Sequence, residues 1–364
     1  MKRLISVSLI LLIGIVGCSP TATKTTNTTG GGGAASGGGG ESFSLAWSEY
    51  PSWSVFGVAD QVGLINKAEG QMGKMEEKWG VDIVLKQLDY DGCLAAYGNS
   101  TIDAVCITNM DVLAPAGGRN SIAILPTSTS AGADACLVVG IESVDDLKGK
   151  NSYGLEKSVS QYLFERALED MGKDPADFPF KQMDPEAAAQ AMKTGQKGIE
   201  SIVVWNPFVM QTLSELPTSK VLFDSTKIPE EIVDMVVVGE DAMKRPGGDA
   251  FAACVADTFY EISRMIENPD SRADTLMKLG QSFSGLSAED METIVDQTKF
   301  YKTAADGTAL FDKADFQNTI MPKVVEFCAT HDIADKATVS FGADAAQLRF
   351  DTQYMTKSTT APVK

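Results

Sequence analysis

The chain has 364 residues, 44% of them apolar, which is enough for two or three ordinary domains with sizeable cores. Its 31 Lys and Arg are outnumbered by 49 Asp and Glu, a formal charge of −18, which excludes recognition of a nucleic-acid backbone by clustered bases. A single His, His331, removes most hydrolase triads and His-rich metal sites, and 6 Cys are too few for a disulfide scaffold.

Met1-Lys2-Arg3 is a short positive region, and Leu4 to Val16 is an almost unbroken apolar run. It is too short to span a bilayer comfortably and ends in small residues, as a signal peptide does. The run closes on Ile15-Val16-Gly17-Cys18, which looks like a lipobox. Residues 1–17 are therefore read as a cleaved signal peptide and Cys18 as the lipidated first residue of the mature chain. Loss of Lys2 and Arg3 takes the charge from −18 to −20. Residues 18–41 are rich in Thr, Ser, Gly and Ala, including two runs of four glycines. Such a stretch buries almost nothing and serves as a flexible tether with a reach of roughly 25 Å.

The body alternates strands and helices. Ser42 to Trp47 reads as a strand, followed by the loop SEYPSW and a helical pattern over Val55 to Glu69. Val81 to Leu88 is a second strand, with helix around Asp91 to Asn99. Ala104 to Thr108, Ile122 to Pro126 and Ala135 to Val139 follow as strands. A second series runs through strand Asn151 to Leu155, a helix from Ser158 to Gly172, strand Phe180 to Met183, helix Pro185 to Thr194 and strand Ser201 to Val204. Val221 to Phe223 and Met235 to Val238 complete the strands, and the text from Asp249 onward reads as helical. Strands separated by helices imply βαβ units, hence an α/β fold with mostly parallel sheets flanked by helices.

Ligands of open α/β sheets sit beyond the carboxyl ends of the strands. Four polar or aromatic segments fall there: Trp47 to Trp53, Thr108 to Asp111, Glu156 to Ser160 and Trp205 to Phe208.

These motifs, in this order, resemble solute-binding lipoproteins of ABC importers in the nitrate/taurine/aliphatic-sulfonate class, relatives of the thiamine-precursor-type proteins. The resemblance rests on the lipobox, the aromatic loop after the first strand, TNMD after a short strand, DLKGK, SVSQYL and VVWNP. It covers Ser44 to Leu222 well and the C-terminal region loosely. WSEYPSW, YDGCLAAY, TNMDVLAPAGG and EKSVSQYLFERAL look closest to the subgroup associated with urea carboxylase, which handles urea or guanidine nitrogen. The chain departs from that subgroup at Gln161, where His is usual, and in the loop before Ala133. The resemblance implies a two-lobed periplasmic-binding-protein type II fold. Residues 42–139 and 236–364 would form lobe 1 with a helical C-terminal region, and residues 140–235 lobe 2. It further implies a monomer outside the cytoplasmic membrane, held by its lipid and delivering a small solute to a permease and ATPase. No catalysis is expected, since enzymatic relatives rely on His and metal chemistry.

Trp47, Tyr50, Trp53 and Trp205 offer flat faces for a planar or cationic ligand. Asp111, Asp134 and Glu156 can pair with a guanidinium or amide, and Thr108, Asn109, Ser158, Ser160 and Asn206 are neutral partners. Asp111 and Ser158 also suit helix caps. Only Arg119 and Lys157 interrupt the candidate cleft with positive charge. The helix start at Ser158 would suit nitrate, taurine or a sulfonate, but three carboxylates tilt the balance to a cationic or neutral nitrogen compound. A surface lipoprotein without transport function is the remaining alternative. Cys93, Cys106, Cys136, Cys254 and Cys328 lie in apolar segments as small buried residues, and their odd number leaves a free thiol. No C-x-x-C occurs, so no metal or other cofactor is expected.

Overall fold

The computed structural model describes residues 41–283 and 285–360; the signal segment, Cys18 and all of the tether before residue 41 lie outside the described residues. The chain first lays down β1 (Ser42–Trp47), β2 (Asp82–Gln87), β3 (Ala104–Thr108) and β4 (Ser121–Ser130). It then crosses to a second sheet made of β5 (Asp134–Val139), β6 (Ser152–Gly154), β7 (Phe180–Gln182), β8 (Ser201–Trp205) and β9 (Ser219–Asp224). It returns through β10 (Val233–Gly239), and later adds β11 (Thr298–Phe300), β12 (Val339–Phe341) and β13 (Leu348–Phe350).

The large sheet has the order β12-β13-β4-β10-β3-β1-β2, with β11 also on β4, and the small sheet the order β7-β6-β8-β5-β9. The two cores share one logic. β2-β1-β3 and β7-β6-β8 are parallel, and the next strand in each sheet is antiparallel and is the first one laid down after a crossover. Those strands, β10 and β5, are buried and read as continuous apolar runs, as fully covered strands should.

Three expectations are corrected. The strand at 135–139, expected with lobe 1, pairs with β8 and β9 of the small sheet, because the chain crosses over before Asp134 rather than after Val139. The strand expected at Ile122 to Pro126 continues to Ser130; Pro126 is tolerated because the pairing with β10 shifts register there. The C-terminal region is not purely helical, since β11, β12 and β13 extend the large sheet. β12 and β13 are short and are held by ring packing of Phe341 on Phe350 (5.0 Å between centroids), so no long periodic pattern announces them.

The crossovers, residues 131–133 and 225–232, lie side by side. Ser130 Oγ is 2.7 Å from Ser225 Oγ, and Gly132 N donates to the same Ser225 hydroxyl. Gly132 has φ +105°, a conformation that side chains rarely adopt. Asn109 fastens the second crossover: its Nδ2 donates to the Glu231 carbonyl, and its Oδ1 accepts from Val233 N, both at 3.0 Å. Asn109→Ala is expected to strip two buried bonds and lower stability by about 2–4 kcal/mol, measured by urea unfolding; an unchanged midpoint would show that the crossover holds itself.

Further ties reach helix Val159–Asp170, which flanks the small sheet. Glu231 of the crossover accepts from Tyr162 and Arg166, and these partners hold its carboxyl below the usual range although burial opposes them. Beyond helix Met321–Thr330, His331 Nε2 lies 2.9 Å from Glu165 Oε2, and Lys157 Nζ donates to the Asp332 carbonyl. All five cysteines after Cys18 are buried and unpaired. Among the described residues no helix is long and apolar enough to cross a membrane.

Candidate functional site

A cavity of about 550 Å³ opens between the ends of the two sheets. Its position follows from strand order. An antiparallel strand begins where its parallel neighbours end, so the first residues of β5 and β10 lie at the rim where ligands of such sheets bind. Those residues are Asp134, which opens β5, and Asp234, the second residue of β10; both line the cavity and both are buried.

The aromatic wall comes from loops after strands. A turn after β1, closed by Trp53 N to Tyr50 O, sets the two rings 4.9 Å apart. Trp53 stacks on Tyr90 at 5.5 Å, and Tyr90 meets Trp205 from the opposite sheet edge-on at 6.4 Å. Tyr90 opens helix Tyr90–Gly98, capped by Asp89, whose side chain accepts from Gly92 N at 2.6 Å. Its hydroxyl donates to Asp111 Oδ2 at 2.6 Å, and Thr108 Oγ1 donates to the same oxygen at 2.8 Å. Asp234 accepts from Ser128 Oγ at 2.6 Å.

The electrostatics run one way. Burial pushes the carboxyls of Asp111 and Asp134 up to about 6, against the bonds from Tyr90 and Thr108 to the first and from Ser130 to the second. Burial, with Asp134 and Asp111 nearby, raises Asp234 well above the usual range. Burial and the neighbouring Asp234 and Asp134 likewise raise the Tyr50 phenol. The lining holds Glu49, Asp89, Asp91, Asp134, Asp184, Glu186 and Asp234, and no Lys or Arg. Buried carboxyls without a basic partner are costly to ionise. The two bases expected near the cleft are engaged elsewhere. Arg119 is buried against Asp241 and the carbonyls of Tyr97 and Ile102, and Lys157 reaches Asp332.

Of the residues singled out in the sequence, Tyr50, Trp53, Thr108, Asp134 and Trp205 line the cavity. Asp111 sits one layer behind, holding Tyr90 and Thr108. Trp47 packs in the core over Gly57, where an added Cβ would lie 2.9 Å from its ring. Asn109 serves the crossover, and Asn206 Nδ2 donates to Gln297. Glu156 is exposed and exchanges bonds with Gln182. Ser158 caps its helix through Ser160 N, while Ser160 Oγ is buried without a partner.

Tyr90 and Asp234 escaped the sequence reading, yet each left a signal. Tyr90 lies three residues past the end of β2, within reach of the same rule that located the other loops. Asp234 is the one charged residue in an apolar run, VDMVVVG, where a polar side chain is the informative exception. Among the described residues no group of three or more His, Cys, Asp or Glu is arranged to hold a metal ion.

No protein-family model matches the chain, and no curated protein sequence matches it. Solved structures do. The alkanesulfonate-binding protein of Xanthomonas axonopodis pv. citri, bound to MOPS, is 17% identical with a TM-score of 0.62, over 81% of this chain and 94% of that one. The periplasmic aliphatic sulphonate binding protein of Escherichia coli is 18% identical with a TM-score of 0.61, over 81% and 88%. The ligand-binding component of an ABC-type import system from Staphylococcus aureus, with zinc bound, is 11% identical with a TM-score of 0.61, over 89% and 100%. At such identities the likeness shows the fold. It is the two-lobed periplasmic-binding-protein fold; its sheets, expected to be mostly parallel, are mixed, because β5 and β10 each run antiparallel to both of their neighbours.

Proposed function

We propose that this chain is the extracytoplasmic solute-binding component of an ABC importer and captures a small nitrogenous cation of the guanidinium type. It is a monomer, anchored by lipid on Cys18, and its lobes close about the crossovers at 131–133 and 225–232 before docking on a permease with its ATPase. The import role is supported by the shared fold with the Staphylococcus aureus import component and the two sulfonate receptors. The ligand assignment rests on one observation: seven acids and no base line a cavity walled by Tyr50, Trp53, Tyr90 and Trp205. Aromatic faces attract a cation, and carboxylates give a planar guanidinium paired acceptors.

Two observations favour a second reading, a sulfonate, nitrate or taurine receptor: two of the structural neighbours bind sulfonates, and Ser160 Oγ is unpartnered at a helix N-terminus. An anion so near Asp134 and Asp234 would be repelled in a medium of low dielectric constant.

Thermal unfolding with guanidinium, urea, nitrate, taurine and ethanesulfonate side by side decides between the readings. Guanidinium at a hundredfold excess over its Kd is expected to stabilise the folded chain by about 2.7 kcal/mol. A shift with the anions alone would overturn the cation reading; no shift with any solute would favour a surface lipoprotein without transport function.

A further inference from the structure

The cavity is much larger than a guanidinium needs. The open cleft spans about 550 Å³, whereas a guanidinium takes the room of a few water molecules at roughly 30 Å³ each. Its acids also fall into two sets. Asp134 and Asp234 are buried at the floor, beside the buried phenol of Tyr50. Asp89 and Asp91 on one side and Asp184 and Glu186 on the other are exposed, and so form the mouth. Asp89 and Asp184 have structural duties as caps of helices Tyr90–Gly98 and Pro185–Lys193. Asp91 and Glu186 have none and face the opening as free charges. The ring series Trp53, Tyr90, Trp205, with centroid steps of 5.5 and 6.4 Å, runs along the wall and crosses from one sheet to the other.

We infer that the site takes an elongated dication: a guanidinium at the floor, a short methylene chain along the rings, and a second ammonium between the acids of the mouth. The inference rests on the cation reading above and extends it to ligand length and charge. It follows from the placement of like charges. The acidic lips repel each other as the lobes approach, so closure over an empty site or over a single floor cation is opposed, whereas an ammonium between the lips removes the repulsion. The rings suit the linker because their faces accept methylene groups as well as cations.

Calorimetric titration of the full chain with 4-guanidinobutylamine and with pentylguanidine separates the two charges, since the compounds match in length and guanidinium and differ in whether the chain ends in an ammonium or a methyl group. The dication is expected to bind at least about tenfold tighter at low salt, with the advantage shrinking as salt rises. In the double variant Asp91→Asn/Glu186→Gln, which keeps both helix caps, the ratio of the two affinities is expected to fall toward one. If both compounds bind the wild-type chain equally, the dication inference fails while the cation reading stands. If neither binds, both fail together. An undiminished ratio in the double variant would remove the mouth from the account.

Discussion

Asp134→Asn is expected to abolish guanidinium binding while raising the melting temperature of the ligand-free protein at pH 7.5. The carboxyl opens β5 at the cavity floor, is buried, and has no basic side chain beside it among the residues lining the cavity. Burial raises it to about 6. Relative to an unfolded Asp near 3.9, ionisation at neutral pH then costs the folded state about 2–3 kcal/mol. Asn keeps the shape and removes that cost, so the ligand-free chain should melt a few degrees higher. The same change deletes one side of a desolvated ion pair in the complex, a loss of two orders of magnitude or more in affinity. Scanning calorimetry and titration on one sample measure both. A variant that binds guanidinium within threefold of the wild type would show that the floor carboxyl is not part of the site.

Guanidinium affinity should fall steeply below pH 6, while the ligand-free protein grows more stable over the same range. Asp111 and Asp134 are both raised to about 6, and Asp234 is raised further above the usual carboxyl range. In the folded chain without ligand they bind protons that the unfolded chain releases between roughly pH 4 and 6. Their contribution to stability is therefore complete below the unfolded values and is lost as pH rises through the folded ones. A bound cation reverses the preference by favouring the carboxylates, so binding expels protons. Each group that must ionise weakens binding up to about tenfold per pH unit below its free value. Titrations in buffers of different ionisation enthalpy count the protons released. An affinity that stays flat from pH 5 to 7.5 would mean that Asp134 and Asp234 do not meet the ligand.

Local signals carried much of the fold. Period and apolar runs placed most strands within a residue or two, because a fully buried strand such as AVCIT or DACLVV admits little else. The loop after β1 and the last residues of β3 and β8, Thr108 and Trp205, line the cavity because they lie at strand ends, whereas the loop after β3 does not reach it. What failed were judgements that depend on partners. Asn109 has the chemistry of a ligand residue, but its amide matches the Glu231 carbonyl and the Val233 amide, which only the fold brings to it. Glu156 lies in the right loop yet turns outward to Gln182. β12 and β13 escaped notice because three-residue strands carry no period, only the aromatic contacts that hold them.

The sequence by itself determined the alternation of strands and helices and the scarcity of basic residues around the strand ends. Both are local or additive properties, readable one segment at a time. Only the tertiary structure decided which acids converge. Asp134 and Asp234 both reach the cavity because each lies within the first two residues of the antiparallel strand that follows a crossover, and that strand starts where its parallel neighbours end. No local pattern carries that information, because it is the order of strands within two separate sheets that places both carboxyls at one cavity floor.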